Sequence, residues 1–173
     1  MKRLLILTII SLMFVSTMSF ADSMKPMVWK KFGFTFSVPY AMARTAKATA
    51  KSYSANDGSM YMFIYPWKDA KVTAKQMSDL ATKKIGTWKW VDSVNQKGAA
   101  RNLNWNGFKG SQTYGTIIST NSMAVKYTVI GIIDPKSANN YFAIIYWNSK
   151  KSLDKAYYKK AAKILSTFKM KKK

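Results

Sequence analysis

The longest apolar runs beyond the first twenty residues are Tyr127–Ile133 and Tyr141–Trp147, and both are the length of a β-strand. A bilayer-spanning helix needs roughly 20 consecutive apolar residues. The chain after its first segment is therefore expected to bury its apolar residues in an ordinary packed core, as a soluble or peripheral domain. Period-2 alternation marks several such strands. Phe34, Phe36 and Val38 alternate with Thr35 and Ser37 and stop at Pro39, within a stretch, Val28–Val38, that reads as two short runs around Gly33. Ala43–Ser54 reads as a weaker extended segment. Asn56-Asp57-Gly58 predicts a hairpin turn into Met60–Tyr65, which is expected to end at Pro66. Four further strands are predicted at Trp90–Val94, Ala100–Trp105, Gly110–Ser119 and Ala124–Ile133, with turns at Asn106-Gly107 and Asn121-Ser122, and a fifth at Tyr141–Trp147.

Two segments carry helical spacing instead. Thr73 followed by Gln76 is a capping-box pattern, and Met77, Leu80, Ala81, Ile85 and Trp88 then fall on one face, with Gly86 as the stop. The second helix is predicted from an N-cap at Ser152 to about Lys169, with an apolar stripe of Leu153, Tyr157, Ala161, Ile164, Leu165 and Phe168. Strands, helix, a run of antiparallel strands and a closing helix define an α+β fold: a central antiparallel β-sheet packed by an internal helix and a C-terminal helix.

The amino-terminal segment has the three parts of a secretory signal. Lys2 and Arg3 precede the apolar stretch Leu4–Phe14, and Ser19 and Ala21 supply the small residues of a cleavage site. We expect residues 1–21 to be a signal peptide, 22–27 a loose leader, 28–169 a single domain and 170–173 a basic tail. The expected location is periplasmic or extracellular. The 152 residues left of 173 suffice for a core without staples. Cysteine is absent, so disulfide scaffolds, thiol chemistry and cysteine metal sites are excluded.

Charge is the most unusual bulk property. Removing Lys2 and Arg3 from 29 basic residues leaves 27 against seven acids, a net of +20, and every acid is aspartate. Arginine contributes only Arg44 and Arg101 to that excess. Lysine is a hydrated point charge, whereas arginine reads phosphate in bidentate geometry, so the composition suits general attraction to polyanions. With no histidine, cysteine or glutamate, triads and ordinary zinc sites cannot be assembled. The scattered aspartates read as turn and cap residues, and no cofactor is expected. We read the chain as a binding protein, not an enzyme. The candidate anion-binding residues are Lys155, Lys159, Lys160 and Lys163 on the second helix, with Lys169, Lys171, Lys172 and Lys173 after it. Of six tryptophans, Trp67 and Trp105 flank breaks and are the expected exposed rings; the others read as packing.

The order of elements and four phrases resemble the PsbP-like fold and the bacterial DcrB-type exported proteins. The phrases are Phe32-Gly33-Phe34-Thr35-Phe36-Ser37-Val38-Pro39, Asn56-Asp57-Gly58, Trp105-Asn106-Gly107 and Ala162-Lys163-Ile164-Leu165-Ser166-Thr167-Phe168-Lys169. The resemblance implies a three-layer α/β/α arrangement and an accessory, chaperone-like or partner-binding role. The expected partner is an anionic membrane surface, an envelope polymer or an acidic protein. Non-specific binding of extracellular nucleic acid and adaptation to acid surroundings are the alternatives; no specific nucleic acid is expected.

Overall fold

The computed structural model describes residues 23–69, 71–135 and 139–170. The predicted signal segment, Asp22 of the loose leader and Lys171–Lys173 of the tail lie outside the described residues.

A seven-stranded, wholly antiparallel sheet forms the centre. Its strands are β3 (Lys47–Ala48), β4 (Tyr53–Asn56), β5 (Met60–Lys68), β6 (Val91–Trp105), β7 (Phe108–Ser119), β8 (Ala124–Ile133) and β9 (Asn139–Asn148). Their order across the sheet is β3-β4-β5-β9-β8-β7-β6. The most apolar strands, β8 and β9, occupy the middle, where both faces are covered. Alternation along β9 sends Tyr141, Ala143, Ile145 and Trp147 to one face and Phe142, Ile144 and Tyr146 to the other.

One face is packed by α2 (Ala74–Gly86), whose Met77, Ala81 and Ile85 meet Ile117, Tyr127, Val129 and Ile144. Its predicted capping box is present: the Thr73 hydroxyl accepts from Gln76 N–H at 3.2 Å and the Gln76 side chain accepts from Thr73 N–H at 2.8 Å. The other face carries α3 (Lys151–Ser166) beside a smaller sheet of order β1-β2-β10, made of β1 (Met24–Trp29), β2 (Phe34–Pro39) and β10 (Lys169–Met170). Phe34, Phe36 and Phe168 stack edge to face between this small sheet and the large one, with Phe34 also lying flat on Tyr141. The architecture is α+β in three layers, the third being part helix and part sheet.

Several expectations are corrected. Met24–Met27, read as loose leader, are strand, paired with Phe36–Pro39 of β2. The extended reading of Ala43–Ser54 gives way to a short helix, α1 (Tyr40–Arg44), followed by β3 and β4. Pro66 does not end β5, which continues to Lys68: β4 pairs only as far as Ile64, so beyond it no neighbour requires a proline N–H on that side. The two strands predicted at Trp90–Val94 and Ala100–Trp105 are one strand, β6, with register shifts between Val91 and Ser93 and between Lys97 and Arg101. The closing helix begins two residues early, with its N-cap at Lys150 and not Ser152, and ends at Ser166. Its N-cap, Lys150, makes no side-chain cap, because an ammonium has no acceptor to offer the free N–H groups; Asp154 in the first turn accepts from Trp147 Nε1 at 3.1 Å and Ser149 Oγ at 3.0 Å. It ends early because Thr167 Oγ1 folds back to donate to the Ile164 carbonyl (2.6 Å) and accepts from Ser37 N–H (2.7 Å), turning Phe168 into the core and Lys169 onto β2.

Candidate functional site

Helix α3 covers only part of its face of the sheet. Its core contacts are Ala161, Ile164 and Leu165, while Leu153, assigned to the apolar stripe by its spacing, is 41% exposed. Lys151, Lys155, Lys159 and Lys163 recur every four residues and are all exposed, so they form one ridge that turns slowly along the outer side of the helix. Beside the helix, Lys97 and Arg101 of β6 and Tyr114 of β7 are exposed. Register places Lys97 opposite Tyr114, Arg101 opposite Gln112 and Leu103 opposite Gly110, and directly opposed residues share a face. Tyr114 is 45% exposed and meets Tyr158 of α3 edge to face at 6.0 Å.

Between these two banks lies a crevice of about 240 Å³, lined by Leu103, Ile130, Ala162 and Leu165, with Asn104, Gln112 and Ser166 at its rim. Ala162 shares a helical face with Lys155, two turns toward the N-terminus, a rise of about 10 Å. Exposed Lys97 and Arg101 stand across from it. The crevice is apolar, no lysine or arginine lines it, and Arg101 is the cation that register sets opposite one of its lining residues, Gln112. It suits an anion attached to an apolar body, and none of the groups lining it is a nucleophile held beside a base.

The sequence candidates distribute unevenly. Lys155, Lys159 and Lys163 lie on the ridge. Lys160 does not: its Nζ donates to Asp57 Oδ2 at 2.8 Å, in an ion pair whose side chains are 20% and 7% exposed. The helix arc explains this, since residue 160 points toward the β4–β5 turn. Lys169 is exposed on β10, away from the ridge's course, and Lys171, Lys172 and Lys173 lie outside the described residues. Trp67 is 39% exposed at the end of β5. The side chain of Trp105 lies outside the described residues. Lys151, Lys97 and Arg101 escaped the sequence reading. Lys151 would have joined the set once the four-residue spacing was extended backwards, but Lys97 and Arg101 depend on a register interrupted by the bulge.

A second feature sits on the α2 face. Rings of Tyr61, Phe63 and Tyr65 on β5 and Tyr146 on β9 stand beyond the edge of α2, and Trp88 and Trp90 fold over them from the turn after that helix. Tyr61 and Tyr146 are 5.0 Å apart and within 8° of parallel, so their faces are spent on one another. Burial pushes the Tyr146 phenol up to about 12, and neighbouring Tyr61 and Tyr65 push the same way. These rings, read as packing, leave a shallow groove of about 380 Å³ floored by Phe63 and Tyr146 and rimmed by Thr87 and Lys89.

Among the described residues no helix is long and apolar enough to cross a membrane. No protein-family profile and no characterised protein matches the chain in sequence. Solved structures match in fold. The Ran-binding protein Mog1p of Saccharomyces cerevisiae superposes with a TM-score of 0.62 at 8% identity, over 87% of this chain and 97% of that one. LpqN of Mycobacterium tuberculosis, described as involved in cell envelope biogenesis, superposes with a TM-score of 0.52 at 9% identity, over 87% of each chain. The fold is PsbP-like, as the sequence resemblance implied.

Proposed function

We propose that this chain is an exported, non-enzymatic accessory protein of the cell envelope, which docks on an anionic surface through the cationic banks of α3 and β6. The observation that carries the reading is the four-lysine ridge Lys151, Lys155, Lys159 and Lys163 facing the same side of the molecule as Lys97 and Arg101. Lysines near an anionic membrane contribute about 1 kcal/mol each, so a set of this size gives firm but salt-sensitive attachment. Support for the envelope setting comes from the signal-like amino terminus, from the DcrB-type resemblance and from the fold shared with LpqN. Mog1p, with the same fold, is a Ran-binding protein, which shows that the scaffold also serves a protein partner elsewhere. An acidic protein is therefore the alternative occupant of the same surface.

Co-sedimentation with vesicles tests the reading. The protein should pellet with vesicles containing phosphatidylglycerol at low salt, stay in solution with phosphatidylcholine alone, and be released as salt rises. Replacing the four ridge lysines by glutamine should abolish pelleting and leave the melting temperature within a few degrees, since exposed lysines contribute little to stability. No association with anionic vesicles at low salt would sink the membrane reading.

A further inference from the structure

The lysines explain attraction to any polyanion, but they do not explain the apolar crevice that runs between them. Helix α3 leaves open a slot whose floor is Leu103, Ile130 and Leu165 and whose lip is Ala162, the smallest side chain that a helix can place there without a glycine. Ala162 is exposed, although a larger residue at that position would close the slot over Leu165. At about 240 Å³ the slot lies below the roughly 300–1,000 Å³ of pockets that enclose whole small ligands. It has room for one apolar chain, with the rest of the molecule outside.

What stays outside is set by charge. Lys155 shares the helical face of Ala162, and exposed Lys97 and Arg101 stand on the opposite bank by strand register. The polar lining is Asn104, Gln112 and Ser166, whose hydroxyl already donates to the Lys163 carbonyl at 2.8 Å. Gln112 Nε2 donates one of its two hydrogens to Thr128 Oγ1 at 3.0 Å, which leaves the second for an anion. An apolar slot with short polar groups in its lining and Arg101 beside it matches the chemistry of an amphiphile with an anionic head. A second copy of this chain is a poor occupant, because each copy carries a net charge of +22 over the full sequence.

We propose that the crevice between α3 and β6–β7 takes one acyl chain of an anionic phospholipid, with the headgroup left outside beside Arg101 of β6. This rests on the anionic-surface reading above and narrows it: the protein extracts or tethers a single lipid chain and does not merely lie on headgroups. Held this way, the lipid would resist release by salt, because burial of apolar surface is not screened.

The test uses the full protein, purified from the envelope of the cells that make it, and dioctanoyl-phosphatidylglycerol below its micelle concentration. Binding should be saturable, and adding a spin-labelled acyl chain on the anionic lipid should broaden the methyl resonances of Leu103, Ile130 and Leu165 in the unmodified protein. Ala162→Phe, which fills the lip from an exposed position, should weaken binding of the monomeric lipid at least tenfold. The same variant should still pellet with anionic vesicles at low salt. If Ala162→Phe and the unmodified protein bind monomeric lipid equally, or if the three methyls are not broadened, the crevice proposal is overturned while surface attraction stands. If neither monomeric lipid nor anionic vesicles are bound at low salt, both readings fall together.

Discussion

Asp57 serves a turn and a tertiary contact with one carboxylate. Its Oδ1 accepts from Ser59 N–H, Ser59 Oγ and Met60 N–H, which fixes the β4–β5 turn, and Oδ2 accepts from Lys160 Nζ, which ties that turn to α3. Burial pushes the carboxyl upward, but the bonds from Lys160, Ser59 and Met60 outweigh it and hold the group below its usual value of 3.8. A carboxyl depressed in the folded state stabilises the fold at all pH values above its unfolded pKa, and that contribution is lost as pH falls through the folded pKa. The melting temperature should therefore owe nothing to this group's titration between pH 7 and pH 5, and should fall on its account only below about pH 4. Asp57→Asn should lower stability by about 2 kcal/mol near neutrality and remove that acid limb, as thermal melts against pH would show; an unchanged acid limb in the variant would contradict the assignment. The turn itself was legible, because Asn-Asp-Gly has local chemistry and Gly58 duly takes φ +82°. The partner was not, since 103 residues separate Lys160 from Asp57 and the sequence offers many other lysines. That is why Lys160 reads as a binding residue until the fold is seen.

At the scale of elements, α2 lies so close to β8 that only glycine fits beneath its first turn. A Cβ on Gly131 would meet the Ala74 carbonyl oxygen, Met77 Cβ at 2.5 Å and Ser78 N at 2.6 Å, and two of these are backbone atoms that cannot swing aside. Gly131→Ala should cost about 3 kcal/mol, measured as a drop in the urea midpoint, by levering the helix off the sheet. Gly86→Ala faces open space at the helix end and is the control: its midpoint should hold or rise slightly. Elements with local signals were read well, including the capping box of α2 and β8 over Ala124–Ile133. Elements whose existence depends on a distant partner were not. The two-residue strands β3 and β10 have no pattern of their own, and the two halves of β6 are brought into one strand by pairing with β7 on either side of the break at Lys97–Arg101. The same dependence hid half of the candidate site, since Lys97 and Arg101 acquire a common face only from that pairing.

For the whole molecule, the sequence indicated an α+β class but not the order of the sheet, which places β9 between β5 and β8. Nor did it show that the ends of the described chain meet. Lys169 pairs with Thr35, the Thr35 hydroxyl donates to the Lys169 carbonyl at 3.0 Å, and Asn106 Nδ2 donates to the Phe168 carbonyl at 3.0 Å. Phe168, Leu165, Ile164 and Ala161 complete the core above Phe34 and Phe36. A chain ending at Asn148 should thus lose cooperative unfolding and be cleaved rapidly by protease, whereas a truncated chain that melts sharply would show that α3 is dispensable. The closure of first strands by last strand also sets a timetable. On the ribosome Thr35 waits for its β10 neighbour until 134 further residues have been made, so the small sheet closes only after every strand of the large one has been synthesised.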